Sequence, residues 1–557
     1  MIGRSPIRLL LSLLVLASLV CLPELALGQD SSPPPEAVET VEEMSLDAAI
    51  DKKFGEATGW FTGSVFSTIT INGYEVLWVI LWLALGGVVT TLAFRFINIR
   101  AFPLAVRTVM GKYSSKSDPG EITHFQALST AVSGTVGLGN IAGVAIGIAM
   151  AGPGVAFWLF LSGFLGMATK FAECTLGVKY RETDPEKRIH GGAMMYLRKG
   201  FKDIGLGPVG VVLAVLFAVF CVFASFGGGN IFQINQATAQ LLNVTGGSES
   251  FFADKQWLFG LIIAVVTGLV IIGGIQSISK VTSKLVPMMC VVYLVSAAIV
   301  LIVNAGHIPT AIQEIIREAF TPRAAVGGGM LAVFIWGMRR ATFSNEAGIG
   351  SAPIAHAAAK TRMPASEGVV ALLEPFIDTV VVCTMTSLVI VTSMYFDGDT
   401  GTYSIHGQTF TLGQEIEGDS NAFGIGLTSL AFETVNSGFK YMLFACVLLF
   451  AFSTLITWSY YGLQAWQFLF GRKKLVDLIY KVIFCMIIVV GASAKMGNAV
   501  DFSDASLFAM SIPNLIGVYV LMPVVFRELN KYLAYTKLVD SGKSQDEARA
   551  EVEGQNA

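Results

Sequence analysis

Two stretches of this 557-residue chain set hydroxyl, amide and carboxylate groups among glycines inside otherwise apolar runs. The first reads Ala131-Val132-Ser133-Gly134-Thr135-Val136-Gly137-Leu138-Gly139-Asn140-Ile141-Ala142-Gly143. The second reads Arg339-Arg340-Ala341-Thr342-Phe343-Ser344-Asn345-Glu346-Ala347-Gly348-Ile349-Gly350-Ser351-Ala352-Pro353. Both have the make-up of interrupted helices. A half-helix presents about +0.5 charge at its amino terminus and about -0.5 at its carboxyl terminus. A zwitterion such as a free amino acid matches that pair, with its carboxylate at the N-H end and its ammonium at the C=O end. Unwound carbonyls and hydroxyls equally suit Na⁺, which needs oxygen ligands. Close helix crossing would account for Gly134, Gly137, Gly139 and Gly143 alone, but not for Thr135, Asn140 or the Ser344-Asn345-Glu346 cluster.

Other polar groups at bilayer depth extend the set. Ser453 and Thr454, followed by Thr457, Trp458 and Ser459, offer two adjacent oxygens to an ion held against carbonyls near Gly134, although helical hydroxyls commonly bond back to their own turn. Asn230 and Gln233 share one helix face, after Phe226 and three glycines. Charged side chains inside apolar spans are functional candidates. Arg339, Arg340, Glu346, Glu374 and Asp378 are gating candidates, a guanidinium and a carboxylate that break and remake during transport, while Lys170 and Glu173, three apart, are expected to pair with each other. The five histidines have no metal spacing, and no nucleophile elbow, Walker loop or H-E-x-x-H pattern occurs, so no enzyme is expected and no cofactor beyond a coupling ion. Gly137-x-Gly139-x-x-Ala142 imitates a dinucleotide fingerprint but follows no strand.

These residues require a membrane-embedded scaffold. Hydrophobic residues make up 54% and charged residues 14%, with mean hydropathy +0.65, where soluble proteins have roughly 45-50% and about 25%. A net charge of -3 supplies no field for nucleic acid. None of the seven cysteines forms a C-x-x-C pair. Arg4, Arg8, the run 9-22 and Ala26-Leu27-Gly28 read as a signal peptide over 1-28. An exported, disordered segment is expected over 29-70, a transporter domain over 71-530 and a cytoplasmic tail over 531-557.

Eleven stretches can span about 30 Å of hydrocarbon: 75-97, 125-151, 155-178, 208-240, 257-278, 285-304, 326-350, 366-395, 438-469, 475-493 and 503-526. With the mature amino terminus outside and the carboxyl terminus inside, 25 Lys/Arg fall inside and seven outside, as the positive-inside rule requires. The two glycine-rich stretches are the second and seventh spans, an odd offset that makes them cross in opposite directions. Inverted five-helix repeats, about 120-305 and 326-527, with a midplane site follow from that pattern.

At His124-Phe125-Gln126-Ala127-Leu128, Gly137-Leu138-Gly139-Asn140-Ile141-Ala142-Gly143-Val144, Gly166-Met167-Ala168-Thr169-Lys170-Phe171-Ala172-Glu173 and Phe343 to Pro353, the sequence resembles the alanine or glycine:cation symporter family. Trp458-Ser459-Tyr460-Tyr461-Gly462 and Ile512-Pro513-Asn514-Leu515-Ile516-Gly517 add to a resemblance that covers about residues 70-530. It implies an all-α polytopic protein of LeuT type, with one extra leading helix before the inverted repeats, in a bacterial plasma membrane. The implied activity is Na⁺ symport of a small neutral amino acid, alanine or glycine, by alternating access. Carriage with H⁺, or a channel or sensor on the same scaffold, stands as the alternative. Matched position by position, the pocket would comprise Thr135, Gly137, Gly139, Asn140, Phe226, Gln233, Thr342, Phe343, Ser344 and Trp458. Sodium would sit between carbonyls near Gly134 and the hydroxyls of Ser453 and Thr454. Leu138 departs from the hydroxyl residue that members of the family often carry there. The residues are silent on oligomeric state.

Overall fold

An apolar chain in lipid must satisfy its backbone N-H and C=O groups internally, and helices do so within one segment. The computed structural model describes residues 46-554 apart from 72-73, 116, 187, 321-328 and 414-423. The expected signal peptide lies outside the described residues. Part of the segment expected to be disordered is not: Leu46–Val65 forms helix α1, followed by a hairpin of β1 (Thr68–Ile71) and β2 (Tyr74–Leu77). The reason is aromatic burial. Phe61 meets Phe223 at 5.4 Å and Phe54 meets Phe502 at 5.4 Å, so this stretch has a partner surface that a disordered tail lacks.

Next come α2 (Trp78–Ala93) and the first broken helix, α3 (His124–Thr135) and α4 (Ala142–Ala151). Thr123 starts α3 with a capping box, its hydroxyl accepting from the Gln126 amide at 3.2 Å while the Gln126 side chain accepts from the Thr123 amide at 3.0 Å. A 3-10 turn at Leu138–Asn140 separates the halves, which are bent by 58°. Then follow α5 (Val155–Lys179), α6 (Gly207–Phe226) continued through a π turn into α7 (Phe232–Thr245), α8 (Gln256–Ile271) and α9 (Gly274–Val303).

The second broken helix comprises α10 (Gly329–Asn345) and α11 (Ala352–His356). It leads to α12 (Pro364–Ala371), a π segment at Phe376–Cys383 and α13 (Thr384–Ser393). A three-stranded antiparallel sheet, Met394–Asp397, Thr402–Ile405 and Gln408–Thr411, interrupts the helices. The chain closes with α14 (Phe439–Phe470), α15 (Lys474–Ser493), α16 (Met496–Asp540) and α17 (Gln545–Gly554).

Counterparts in the two five-helix sets lie against each other: α5 on α12, α6 on α14, α8 on α15, and the first break on α10. This is how two repeats about one internal axis pack. Seven helices among the described residues, eight with the bent pair, are long and apolar enough to cross a membrane. The other three expected spans are shorter: α2 and α8 have 16 residues and α10 has 17, about 24-26 Å at 1.5 Å per residue. The carboxyl-terminal tail expected from 531 is helical, and Arg549 of α17 pairs with Asp118 at 3.2 Å.

Candidate functional site

The first break is held open by side chains that replace the missing helical bonds. The Asn140 Oδ1 accepts from the Gly137 amide at 2.9 Å, and the Gln233 Oε1 accepts from the Leu138 amide at 2.9 Å. Gln233 also donates to the Gly228 carbonyl at 2.9 Å, so its amide ties the π turn at Gly227–Ile231 to the break. Gly137 is required by approach: a Cβ there would lie 2.5 Å from the Thr454 Oγ1 and 2.9 Å from the Gln233 Oε1.

The second break begins at Glu346, a left-handed residue at φ 56°, and continues through Gly348 and Gly350 at φ 88° and 86°. A left-handed non-glycine residue is costly and persists only where its surroundings hold it. Trp458 Nε1 donates to the Glu346 Oε1 at 2.9 Å, and Ser351 Oγ donates to the other carboxylate oxygen. The Asn345 Oδ1 accepts from the Ala347 amide at 3.0 Å, and Asn514 donates to the Gly348 carbonyl at 2.8 Å.

The two breaks meet. A Cβ on Gly139 would lie 3.0 Å from Phe343 and 3.5 Å from the Ser344 Cα. The Asn140 Nδ2 donates to both Asp378 carboxylate oxygens, at 2.9 and 2.8 Å, and Ser344 Oγ donates to the same pair at 2.6 and 2.9 Å. Phe343 packs edge-on against Phe232 at 4.6 Å, and Trp458 lies against Gly229, where a Cβ would be 2.3 Å from the indole. Asn140, Gln233, Phe343, Ser344, Asp378 and Trp458 are all buried.

Beside the first break is a cluster of hydroxyls. The Thr454 Oγ1 donates to the Ser133 carbonyl at 3.1 Å, Ser133 Oγ donates to the Ser453 carbonyl at 2.8 Å, and Thr457 Oγ1 donates to Ser133 Oγ at 3.0 Å. A Cβ on Gly134 would lie 3.2 Å from Thr457. The oxygens anticipated around Gly134, Ser453 and Thr454 are therefore adjacent, with Ser133 as the bridging residue that the sequence reading passed over. Its position beside Gly134 was the available signal.

Two pocket candidates point elsewhere. Phe226 stacks on Tyr480 at 5.8 Å, with planes 20° apart, because the π turn after it rotates the aromatic face toward α15. Thr342 lines a small cleft against α2 and α5 with Gly87, Ser162, Thr169 and Asn345. Thr135 lies at the break, but its hydroxyl turns back to the Val132 carbonyl at 3.3 Å.

The gating candidates separate into three groups rather than one gate. Arg339 and Arg340 both pair with Asp504 on α16, and Arg339 reaches Asp501 at 2.9 Å. Glu346, Glu374 and Asp378 are not their partners. Glu346 holds the second break and Asp378 joins the two breaks, whereas Glu374 pairs with Lys170 at 2.8 Å. The expected Lys170 to Glu173 pair is absent because the Glu173 carboxylate accepts from Asn514 at 2.5 Å. Two histidines left without a role, His124 and His356, both bond Glu367, His356 at 2.5 Å. His124 begins α3 and His356 ends α11, so one carboxylate ties the first half of one broken helix to the second half of the other.

A mostly helical membrane protein whose buried polar groups converge where two helix breaks meet has the architecture of the LeuT type that the resemblance implies. The chain belongs to the sodium:alanine symporter family, which matches residues 62-547. It is 37% identical over 464 residues to the sodium/alanine symporter AgcS of Methanococcus maripaludis, covering 83% of this chain and 96% of that one. It is 32% identical over 467 residues to a probable sodium/glutamine symporter, GlnT, of Bacillus subtilis, covering 83% and 90%. Among solved structures, MhsT in complex with L-phenylalanine is similar at TM-score 0.49 and 14% identity, over 72% of this chain and 89% of that one. The protein is thus a transporter, not an enzyme, and it moves an amino acid together with a cation.

Proposed function

We propose that the protein couples Na⁺ entry to uptake of a small neutral amino acid, alanine or glycine, by alternating access. The meeting of Asn140 and Ser344 at one buried carboxylate carries this reading, because it puts the half-helix termini of both broken helices around one point. The amino acid's carboxylate takes the N-H ends and its ammonium the C=O ends. Phe343, packed on Gly139, and Trp458, packed on Gly229, put aromatic walls at this point, which favours a small side chain. Na⁺ takes the Ser133 carbonyl with the Ser453 and Thr454 hydroxyls, from which Thr454 lies 3.1 Å away in direct hydrogen bonding.

Ion and amino acid touch opposite sides of the same unwound turn, so each lowers the cost of ordering it for the other. That coupling is a difference in affinity between states. The buried central residues describe a closed intermediate through which a carrier passes between its open states. The relatives named as sodium/alanine and sodium/glutamine symporters support the substrate class. The carrier would sit in a bacterial inner membrane, mature amino terminus outside and carboxyl terminus in the cytoplasm. Purified protein in liposomes should accumulate labelled alanine under an inward Na⁺ gradient. Accumulation that follows a pH gradient and ignores Na⁺ would replace sodium by protons, and ion flux without solute would replace the carrier by a channel.

A further inference from the structure

We propose that the carboxyl-terminal helix α17 is a latch on the inner gate. While its Arg549 holds Asp118, the two broken helices stay closed toward the side of the carboxyl terminus, and release of α17 permits opening there. The proposal rests on the carrier reading above and adds a control element to it.

The gate is a clasp between two loops. Residues 119-122 lead into the first broken helix, and residues 357-361 leave the second. Four main-chain bonds join them: the Glu121 and Ile122 amides donate to the Ala358 carbonyl at 2.8 and 3.2 Å, Lys360 to Ile122 at 2.8 Å, and Thr361 to Pro119 at 3.2 Å. The loops approach so closely that a Cβ on Gly120 would lie 2.4 Å from the Ala359 oxygen. Arg181, just past α5, donates to the carbonyls of Ala357, Ala359, Pro119 and Thr361 at 2.7, 2.6, 2.8 and 2.7 Å, so one guanidinium spans both loops. This end of the carrier opens only when the clasp parts.

The chain's last helix reaches the clasp through one carboxylate. Asp118, buried next to it, accepts from Arg549 Nη2 at 3.2 Å and faces Arg362 Nε, beyond the second loop, at 3.5 Å. Its other oxygen accepts from the Ser115 amide at 3.1 Å. Gln545 of α17 donates to the Lys112 and Ser114 carbonyls at 3.2 and 3.4 Å. Asp118 therefore joins three segments: the loop before α3, the loop after α11, and α17.

The contact has the build of one that can be released. Ser544 and Glu547 cap the start of α17, the Ser544 amide donating to the Glu547 carboxylate at 3.0 Å and the Glu547 amide to Ser544 Oγ at 3.3 Å. The buried residues of the helix are Ala548, Arg549 and Val552, two small apolar side chains and one charge. A helix held by its apolar face would bury a wider stripe. Detaching α17 exposes little apolar surface, and its main cost is the buried pair of Arg549 with Asp118. A contact present only in the closed arrangement biases the carrier toward it, and its loss shifts the population toward the open one.

The test uses the full chain in detergent with a cysteine at Thr282, a buried position on α9 whose hydroxyl lies 3.2 Å from that of Thr130 on α3. Labelling by a soluble maleimide is timed, and the same protein without this cysteine sets the background. Arg549→Glu, which sets two carboxylates against each other, should speed labelling about tenfold, and Arg549→Lys, which keeps the charge, should speed it less. Where Arg549→Glu does not fold, Arg549→Ala decides, with a rise of about threefold. Labelling that is unchanged or slower overturns the proposal. A matching rise at Ala214→Cys, buried on α6, would mark general loosening and overturns it as well. Alanine uptake is measured separately in liposomes: a wild type that takes up none under any ion gradient removes the carrier reading, whereas the labelling rates report on the latch alone.

Discussion

Asn140 and Ser344, one on each broken helix, donate to the same carboxylate, that of Asp378. Neither break is stable alone, since an unwound turn in lipid exposes peptide groups that cost several kcal/mol each when unpaired. Joined through Asp378, and braced by Gln233 on one side and Trp458 on the other, they form a single hydrogen-bonded unit.

Asn140 performs two tasks at once, accepting from the Gly137 amide and donating to Asp378. Asn140→Ala removes one hydrogen bond from each of two buried groups, which keep the Thr135 carbonyl and the Ser344 hydroxyl as partners, at a cost of about 0.5-1.5 kcal/mol for each. Alanine binding should weaken by at least about tenfold, which corresponds to about 1.4 kcal/mol, with near-normal expression. Isothermal titration of the purified protein checks this; unchanged affinity would place the substrate elsewhere.

Gly229 gives its space to the Trp458 indole, where a Cβ would fall 2.3 Å away. In Gly229→Ala the ring must move, which withdraws its N-H from Glu346. Overpacking of this kind costs about 1-3 kcal/mol. Uptake should fall strongly while Gly63→Ala, at an exposed helical position with nothing near the added Cβ, serves as the control for handling losses.

Trp458→Phe keeps the packing and deletes the donor to Glu346. With one hydrogen bond to a charged group gone, the left-handed residue loses about 1.5-3 kcal/mol of support. The expected result is a lower melting temperature and greater protection of that temperature by added alanine. Identical melting curves would show that the indole acts only as a wall.

Glu367 is the shared partner of His124, on the first half of one broken helix, and His356, on the second half of the other. Breaking a buried pair of this sort costs about 3-5 kcal/mol. Glu367→Gln should lower thermal stability by that order and, by freeing the two halves, raise the reactivity of a cysteine placed at Ser366 toward a soluble thiol reagent. Stability lost without any change in reactivity would limit Glu367 to folding.

Much of the site was legible because it breaks local rules. Asn140 and the Ser344-Asn345-Glu346 run stand where a plain membrane helix would carry Leu or Val, and the glycines around them mark the unwinding. Ser453 and Thr454 were legible for the same reason, and the structure sets both beside Ser133. Pairings were not legible. Lys170 and Glu173 share a helix face at helical spacing, yet Lys170 meets Glu374 and Glu173 meets Asn514. Arg339 and Arg340 were candidates for a gate, but Asp504 was invisible as their partner, since nothing in the chain says which turn of α16 lies opposite. Phe226 carried the right chemistry and the wrong azimuth, because a π turn adds a residue and rotates what precedes it.

The sequence by itself determined the solvent, the helices, the two breaks and the polar groups available at them, since these follow from composition and from spacing along one chain. Only the tertiary structure decided that Asn140 and Ser344 converge on Asp378, that Trp458 holds Glu346, and that α1 is ordered. Such choices depend on distances between segments remote in sequence, where a buried polar group takes a partner that packing brings within hydrogen-bond reach rather than the one nearest along the helix.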